Sequence, residues 1–131
     1  MASRREARRQ AIDLLYQADV TGADAPGVMR DWEAAGRSIA GFARELVEGV
    51  TAHRDEIDRL LQRFAEGWTV ERMASLDRTI LRVACFELLF REDVPPAAAI
   101  DEAVEAAKAL STEDSARFVN GILGAIARDR A

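Results

Sequence analysis

Between Asp77 and Phe90 the chain offers a helix with almost no polar face. Ile80, Leu81, Val83, Ala84, Cys85, Phe86, Leu88 and Leu89 are apolar nearly all round it. Such a helix has to be wrapped by other elements, since an amphipathic surface helix needs one polar side. Val94-Pro95-Pro96 stops it, because a proline drives the residue before it out of helical conformation. The wrapping material is helical too: eight glycines and three prolines in 131 residues leave little for turns. The expectation is an all-α domain, residues 1–131, of six or seven helices packed around the 77–90 segment.

Ser3 followed by Glu6 has the capping-box pattern and predicts a helix start there. Ala7, Ala11, Leu14 and Ala18, with Leu15 beside them, form a core stripe from about Arg4 to Val20. Thr21 to Asp24 reads as a loop, and Pro26 suits the first turn of a helix carrying Val28, Met29 and Trp32 to Gly36. Ser38 is placed to cap a third helix with Ile39, Phe42, Leu46 and Val50. Ile57, Leu60, Leu61 and Phe64 continue the pattern to Gly67. After the prolines, Ile100, Ala103, Val104, Ala107 and Leu110 share a face, with Asp101, Glu102 and Glu105 outward. Ser111 to Ser115 is a polar turn before Phe118, Val119, Ile122, Leu123 and Ile126.

Charge is distributed unevenly. Arg4, Arg5, Arg8 and Arg9 against Glu6 give +3 in residues 1–10, within a chain of net −5, so the other 121 residues carry −8. An acidic protein repels nucleic acid on average, so a polyanion site has to be a local patch. The arginines cannot serve the helix dipole, which favours anions at that end. Two readings stand: a solvated polar face, or a binding edge. Arg5, Arg9, Ile12 and Tyr16 share one face, so the same side passes from cationic to apolar.

Catalytic chemistry finds little support. Cys85 is the one cysteine, which excludes an internal disulfide, and with His53 the one histidine, metal ligands are scarce and no cofactor is expected. His53 has no nucleophile pattern beside it, and Cys85 lies in the buried helix; both read as structural. The carboxylates fall on polar helix faces, and Gly121 and Gly124 lack a phosphate-loop context, so they read as sites of close helix packing. No apolar run reaches the roughly 20 residues of a membrane span, and the start is no signal sequence, which predicts a soluble cytoplasmic protein. Phe118 is either core or a platform on which an unpaired base stacks.

Three blocks carry a likeness: Asp77-Arg78-Thr79-Ile80-Leu81-Arg82-Val83-Ala84-Cys85-Phe86-Glu87-Leu88, then Asp93-Val94-Pro95-Pro96 with Ala99 to Lys108, then Glu113-Asp114-Ser115-Ala116-Arg117-Phe118-Val119-Asn120-Gly121-Ile122-Leu123. With the arginine-rich start running into Leu15-Tyr16, the chain resembles the NusB family of transcription antitermination factors. The resemblance implies seven helices in two perpendicular three-helix bundles. It implies binding of boxA RNA together with NusE, a small-subunit ribosomal protein, so that RNA polymerase reads through terminators, notably in ribosomal RNA operons. By position it nominates Arg4, Arg5, Arg8, Arg9, Asp114 and Phe118 for RNA, and Tyr16 and Asp77 for NusE. Glu6 and Gln10 dilute the basic motif, and Lys108 is the sole lysine. The rival reading is a non-enzymatic helical interaction module, a homodimer whose arginines meet acidic surface on a second copy.

Overall fold

The computed structural model describes residues 2–130, in which seven α-helices account for most of the chain. They are α1 (Arg4–Thr21), α2 (Ala25–Ala34), α3 (Gly41–Ala52), α4 (Arg54–Phe64), α5 (Ser75–Phe90), α6 (Pro96–Leu110) and α7 (Glu113–Arg130), with a 3-10 turn at Val70–Arg72. The all-α class is as expected. α1, α2 and α3 pack on one another, α5, α6 and α7 form a second group with α4 alongside, and α5 touches α1, α3, α4, α6 and α7.

Local chemistry sets the ends. Ser3 Oγ accepts from the Glu6 N–H, so the capping box starts α1 as its spacing predicts. Gly22, at φ 73°, ends α1 in the left-handed conformation that glycine adopts without strain. Asp24 caps α2 through the Gly27 N–H. Ser38 does not cap α3: that helix begins at Gly41 with Ala40 before it and no side-chain cap. Instead the Ser38 carbonyl accepts from Gln10 Nε2 at 2.8 Å, while Gln10 Oε1 accepts from the Ala40 N–H at 2.9 Å. Gln10 therefore ties α1 to the α2–α3 connection.

The core is one contiguous cluster in which Leu14, Leu46, Ile57, Leu61, Ile80, Leu81, Leu123 and Ile126 are all fully buried. Truncating any of these to alanine costs about 2–5 kcal/mol. Close packing falls at Gly49 and not, as expected, at Gly121 and Gly124. A Cβ on Gly49 would lie 2.1 Å from Phe86 Cζ, whereas one on Gly121 would meet nothing within 4 Å and one on Gly124 only the flexible end of Arg128. Cys85 is buried, and burial pushes its thiol up to about 12, consistent with an inert filler. The His53 ring stacks on Phe90 with centroids 4.0 Å apart.

α5 is less uniformly apolar than its sequence suggests. Asp77, Thr79, Arg82 and Glu87 are buried with it. Arg82 donates to both oxygens of Asp58 on α4, at 2.8 and 3.0 Å, and reaches Asp19 of α1 at 3.4 Å. Arg78 donates to Asp19 at 2.8 Å. Buried charges persist only when paired and hydrogen-bonded, and these pairs join α1, α4 and α5. Burial would raise the Asp19 carboxyl, but hydrogen bonds from Ser75 and Arg78 and the charges of Arg78 and Arg82 outweigh it and hold it below its ordinary value.

Candidate nucleic-acid interface

The four arginines of α1 divide by what holds them. Arg8 turns inward: its guanidinium makes three N–H···O contacts of 2.8–3.0 Å to Glu87, and the two side chains are only 11% and 1% exposed. Its position in the charge cluster suggests a binding group, but the buried Glu87 carboxylate has captured it, because such a group needs a cation. Arg4 lies 2.7 Å from Asp93 and stacks over the Phe42 ring at 4.3 Å. Arg91 shares Asp93 and also binds Glu45, and these two arginines hold the Asp93 carboxyl far below its usual range.

Arg5 makes a two-pronged contact with Glu102, at 3.0 and 3.1 Å, and remains 60% exposed. Hydrogen bonding from Arg5 keeps the Glu102 carboxyl below its ordinary value, with help from the charges of Arg5, Arg8 and Arg9. Glu102 is therefore not simply outward, as its helical position predicts; it is half-buried against α1. Among the described residues Arg9 pairs with no carboxylate. The +3 of the sequence is thus largely countered in space by Asp93, Glu87 and Glu102, and the guanidiniums of Arg4, Arg5 and Arg9 stay accessible to an incoming anion.

From Arg9 the surface leads into an open groove of about 480 Å³ lined by Ile12, Asp13, Tyr16, Leu76 and Leu110. Tyr16 is 38% and Leu110 45% exposed, so the apolar end of the α1 face is open to contact, although Ile12 itself is buried. Leu76 precedes Asp77, and Leu110 leads into the Ser111-Thr112 link before α7. Asp77 is 9% exposed; its Oδ2 accepts from Ser115 Oγ at 3.2 Å, and its Oδ1 accepts from no described residue. A buried acceptor without a donor is costly.

The first turn of α7 carries the remaining nominees. Asp114 is exposed and paired with Arg117. Phe118 is half-buried against the core and meets Trp68 edge-to-face, with centroids 6.3 Å apart and planes at 71°. Trp68 is half-exposed, so the pair forms an aromatic step at the surface, with Phe118 packed on the core behind it. Trp68, Glu102 and Ser115 touch Phe118, Arg5 and Asp77, and sequence reasoning did not nominate them. Only the exposure of a large aromatic in an aperiodic link could have pointed to Trp68.

Comparison with known proteins gives the chain a family. The NusB family model matches residues 5–128. The transcription antitermination protein NusB of Saccharopolyspora erythraea is 52% identical over 135 residues, covering 97% of this chain and 88% of the relative. That of Acidothermus cellulolyticus is 47% identical over 132 residues, covering 100% and 91%. Among solved structures, NusB of T. maritima superposes with a TM-score of 0.87 at 34% identity, covering 98% of this chain and 92% of that one. A chain from the crystal structure of antitermination factors NusB and NusE in complex with dsRNA superposes with a TM-score of 0.85 at 26% identity over 96% of each. Sequence and backbone correspond from the arginine-rich first helix through the last, and the chain belongs to the NusB family.

Proposed function

We propose that this chain acts as a transcription antitermination factor in the cytoplasm, as a single all-helical domain spanning residues 1–131. It binds boxA-type RNA jointly with NusE and so lets RNA polymerase read through terminators, notably in ribosomal RNA operons. It works by binding alone and performs no chemistry. The observation that carries the reading is the groove that runs from Arg9, on the same helix as the exposed Arg4 and Arg5, past Tyr16 to Leu76 and Leu110. A cationic edge for a transcript continues into a largely apolar groove, which suits a protein cofactor. Family relatives named as antitermination proteins, and a solved NusB–NusE–dsRNA complex of the same fold, support it.

In this reading Arg4, Arg5 and Arg9 contact phosphates, Phe118 with Trp68 stacks on a base, and Asp114 bounds that site. Tyr16 and Asp77 meet NusE, and Arg8 holds α1 in place. Three phosphate contacts to a single strand give a log-log salt slope of about −2, at roughly 0.7 per contact. Titration of a fluorescent boxA RNA, with and without NusE, tests it: replacing Arg5 and Arg9 with alanine is expected to weaken binding and flatten the slope. Salt-independent binding, or binding untouched by that double substitution, overturns the proposal.

A further inference from the structure

We infer that the Gln62 side chain is a positioning group for RNA binding: its amide clamps the backbone on both sides of Thr69 and so presents the Trp68 ring, already ordered, to an unpaired base. The inference rests on the stacking role given above to Trp68 with Phe118, and it names the residue on which that role depends.

Trp68 lies in the link between α4 and α5, outside any helix, yet both of its backbone polar groups are held. Gly67, at φ 77°, turns the chain in the left-handed region open to glycine. The Trp68 N–H then donates to the Ala65 carbonyl at 2.8 Å, and the Trp68 carbonyl accepts from Gln62 Nε2 at 3.0 Å. Gln62 Oε1 accepts from the Val70 N–H at 3.0 Å, so one amide on α4 grips two backbone groups of the link. The remainder is fixed from elsewhere: Thr69 Oγ1 accepts the Arg72 N–H at 3.2 Å, and Arg78 Nη1 donates to the Glu71 carbonyl at 3.1 Å.

A second clamp of the same form shows what is unusual about this one. Gln10 grips the Ser38 carbonyl and the Ala40 N–H, and the residue it brackets, Ile39, packs half-buried on the core. There the clamp serves packing. Gln62 brackets Thr69, which is exposed, and its carbonyl partner is Trp68, whose ring is half in water and meets Phe118 edge-on. Fixing a half-solvated ring adds little to the folded state. It matters to a base that stacks there, because a ring already in place does not have to be ordered on binding.

The test uses the full chain and compares Gln62→Met, which keeps the side-chain length and loses both hydrogen bonds, with Trp68→Ala, their double variant, Gln62→Glu and Gln10→Met. Affinity for boxA RNA, the melting midpoint and quenching of tryptophan emission at saturating RNA are measured; Trp32 is buried, so the quenching reports Trp68. Gln62→Met is expected to weaken RNA binding about two- to tenfold, the cost of ordering one large side chain, and by less than Trp68→Ala. In the Trp68→Ala background it changes nothing further. Gln62→Glu keeps the acceptor for Val70 and lacks the donor for Trp68, so it spares the midpoint and still loses quenching. Gln10→Met leaves quenching intact. Undiminished RNA affinity in Gln62→Met beside an impaired Trp68→Ala, an equal loss in both backgrounds, or wild-type quenching in Gln62→Glu overturns the inference and leaves the stacking reading standing. If Trp68→Ala binds RNA at wild-type strength, the stacking role falls and the inference falls with it, while the Arg5 and Arg9 titration still decides the arginine edge.

Discussion

Replacing Arg8 with alanine separates a structural arginine from its three outward neighbours. Glu87 is 1% exposed and takes its three short N–H···O contacts from Arg8. Removing one partner of a buried pair strands the other charge, which costs about 3–5 kcal/mol. Against a typical total of about 5–15 kcal/mol, that is a large fraction of the folding free energy. At roughly 3 to 4 °C per kcal/mol for a domain of this size, the melting midpoint should fall by about 10–20 °C in a circular-dichroism melt at neutral pH. Arg9→Ala, a surface change, should stay within about 0.5 kcal/mol of wild type. The double variant Arg8→Met with Glu87→Met removes both charges and should regain most of the loss. It should also bind RNA with nearly wild-type affinity, because Arg8 is turned inward to Glu87 and is not offered to solvent. An Arg8→Ala midpoint within about 2 °C of wild type would refute the reasoning. So would a stable double variant that no longer binds RNA.

In the proposed reading Glu102 competes with RNA phosphates for Arg5, so Glu102→Gln should tighten binding of cognate and scrambled RNA alike by about threefold, the scale of an exposed ion pair; weaker binding in the titration would contradict this. The effect should vanish when Arg5 is alanine. Phe118→Ala should lose RNA affinity by stacking and also lower stability by about 1–3 kcal/mol, since the ring is only half-buried against the core; Trp68→Ala should lose RNA affinity with little change in the melt. Asp19 has a depressed carboxyl in the fold, so its contribution is complete above its ordinary value of 3.8 and drains away as pH falls below it. Asp19→Asn should therefore lower stability at neutral pH and flatten the acid side of the stability profile. An acid limb as steep as that of wild type would count against that account.

Helix number, order and most core positions were legible because an apolar stripe at 3.6-residue spacing maps directly onto burial: Ala7, Ala11, Leu14 and Ala18 are all buried in α1. The arginine edge and its passage into Tyr16 were equally visible as a sequence of side-chain types along one face. What stayed hidden were pairings across long separations. Nothing near Glu87 signals that Arg8, 79 residues earlier, will neutralise it, and a charged residue on a helical wheel is ordinarily read as a mark of solvent. The same blindness hid Arg82 with Asp58 and Arg5 with Glu102, and so made the edge look more cationic than it is. Ser38 misled for a related reason: a cap depends on where the backbone turns, and the Gln10 side chain fixed that turn from another helix.

The contact between Gly49 and Phe86 reaches further than packing. Gly49 lies seven residues after Phe42 on α3, about 10 Å along the axis, and Phe42 is the shelf beneath the guanidiniums of Arg4, Arg8 and Arg91. A bare Cα lets the Phe86 ring lie flush against α3, so the packing of α3 on α5 also positions the helix that carries Phe42. A methyl group added at Gly49 would collide with the Phe86 ring, so under the proposed function RNA affinity is sensitive to a substitution on the α3–α5 seam, one helix turn and more from the arginines themselves.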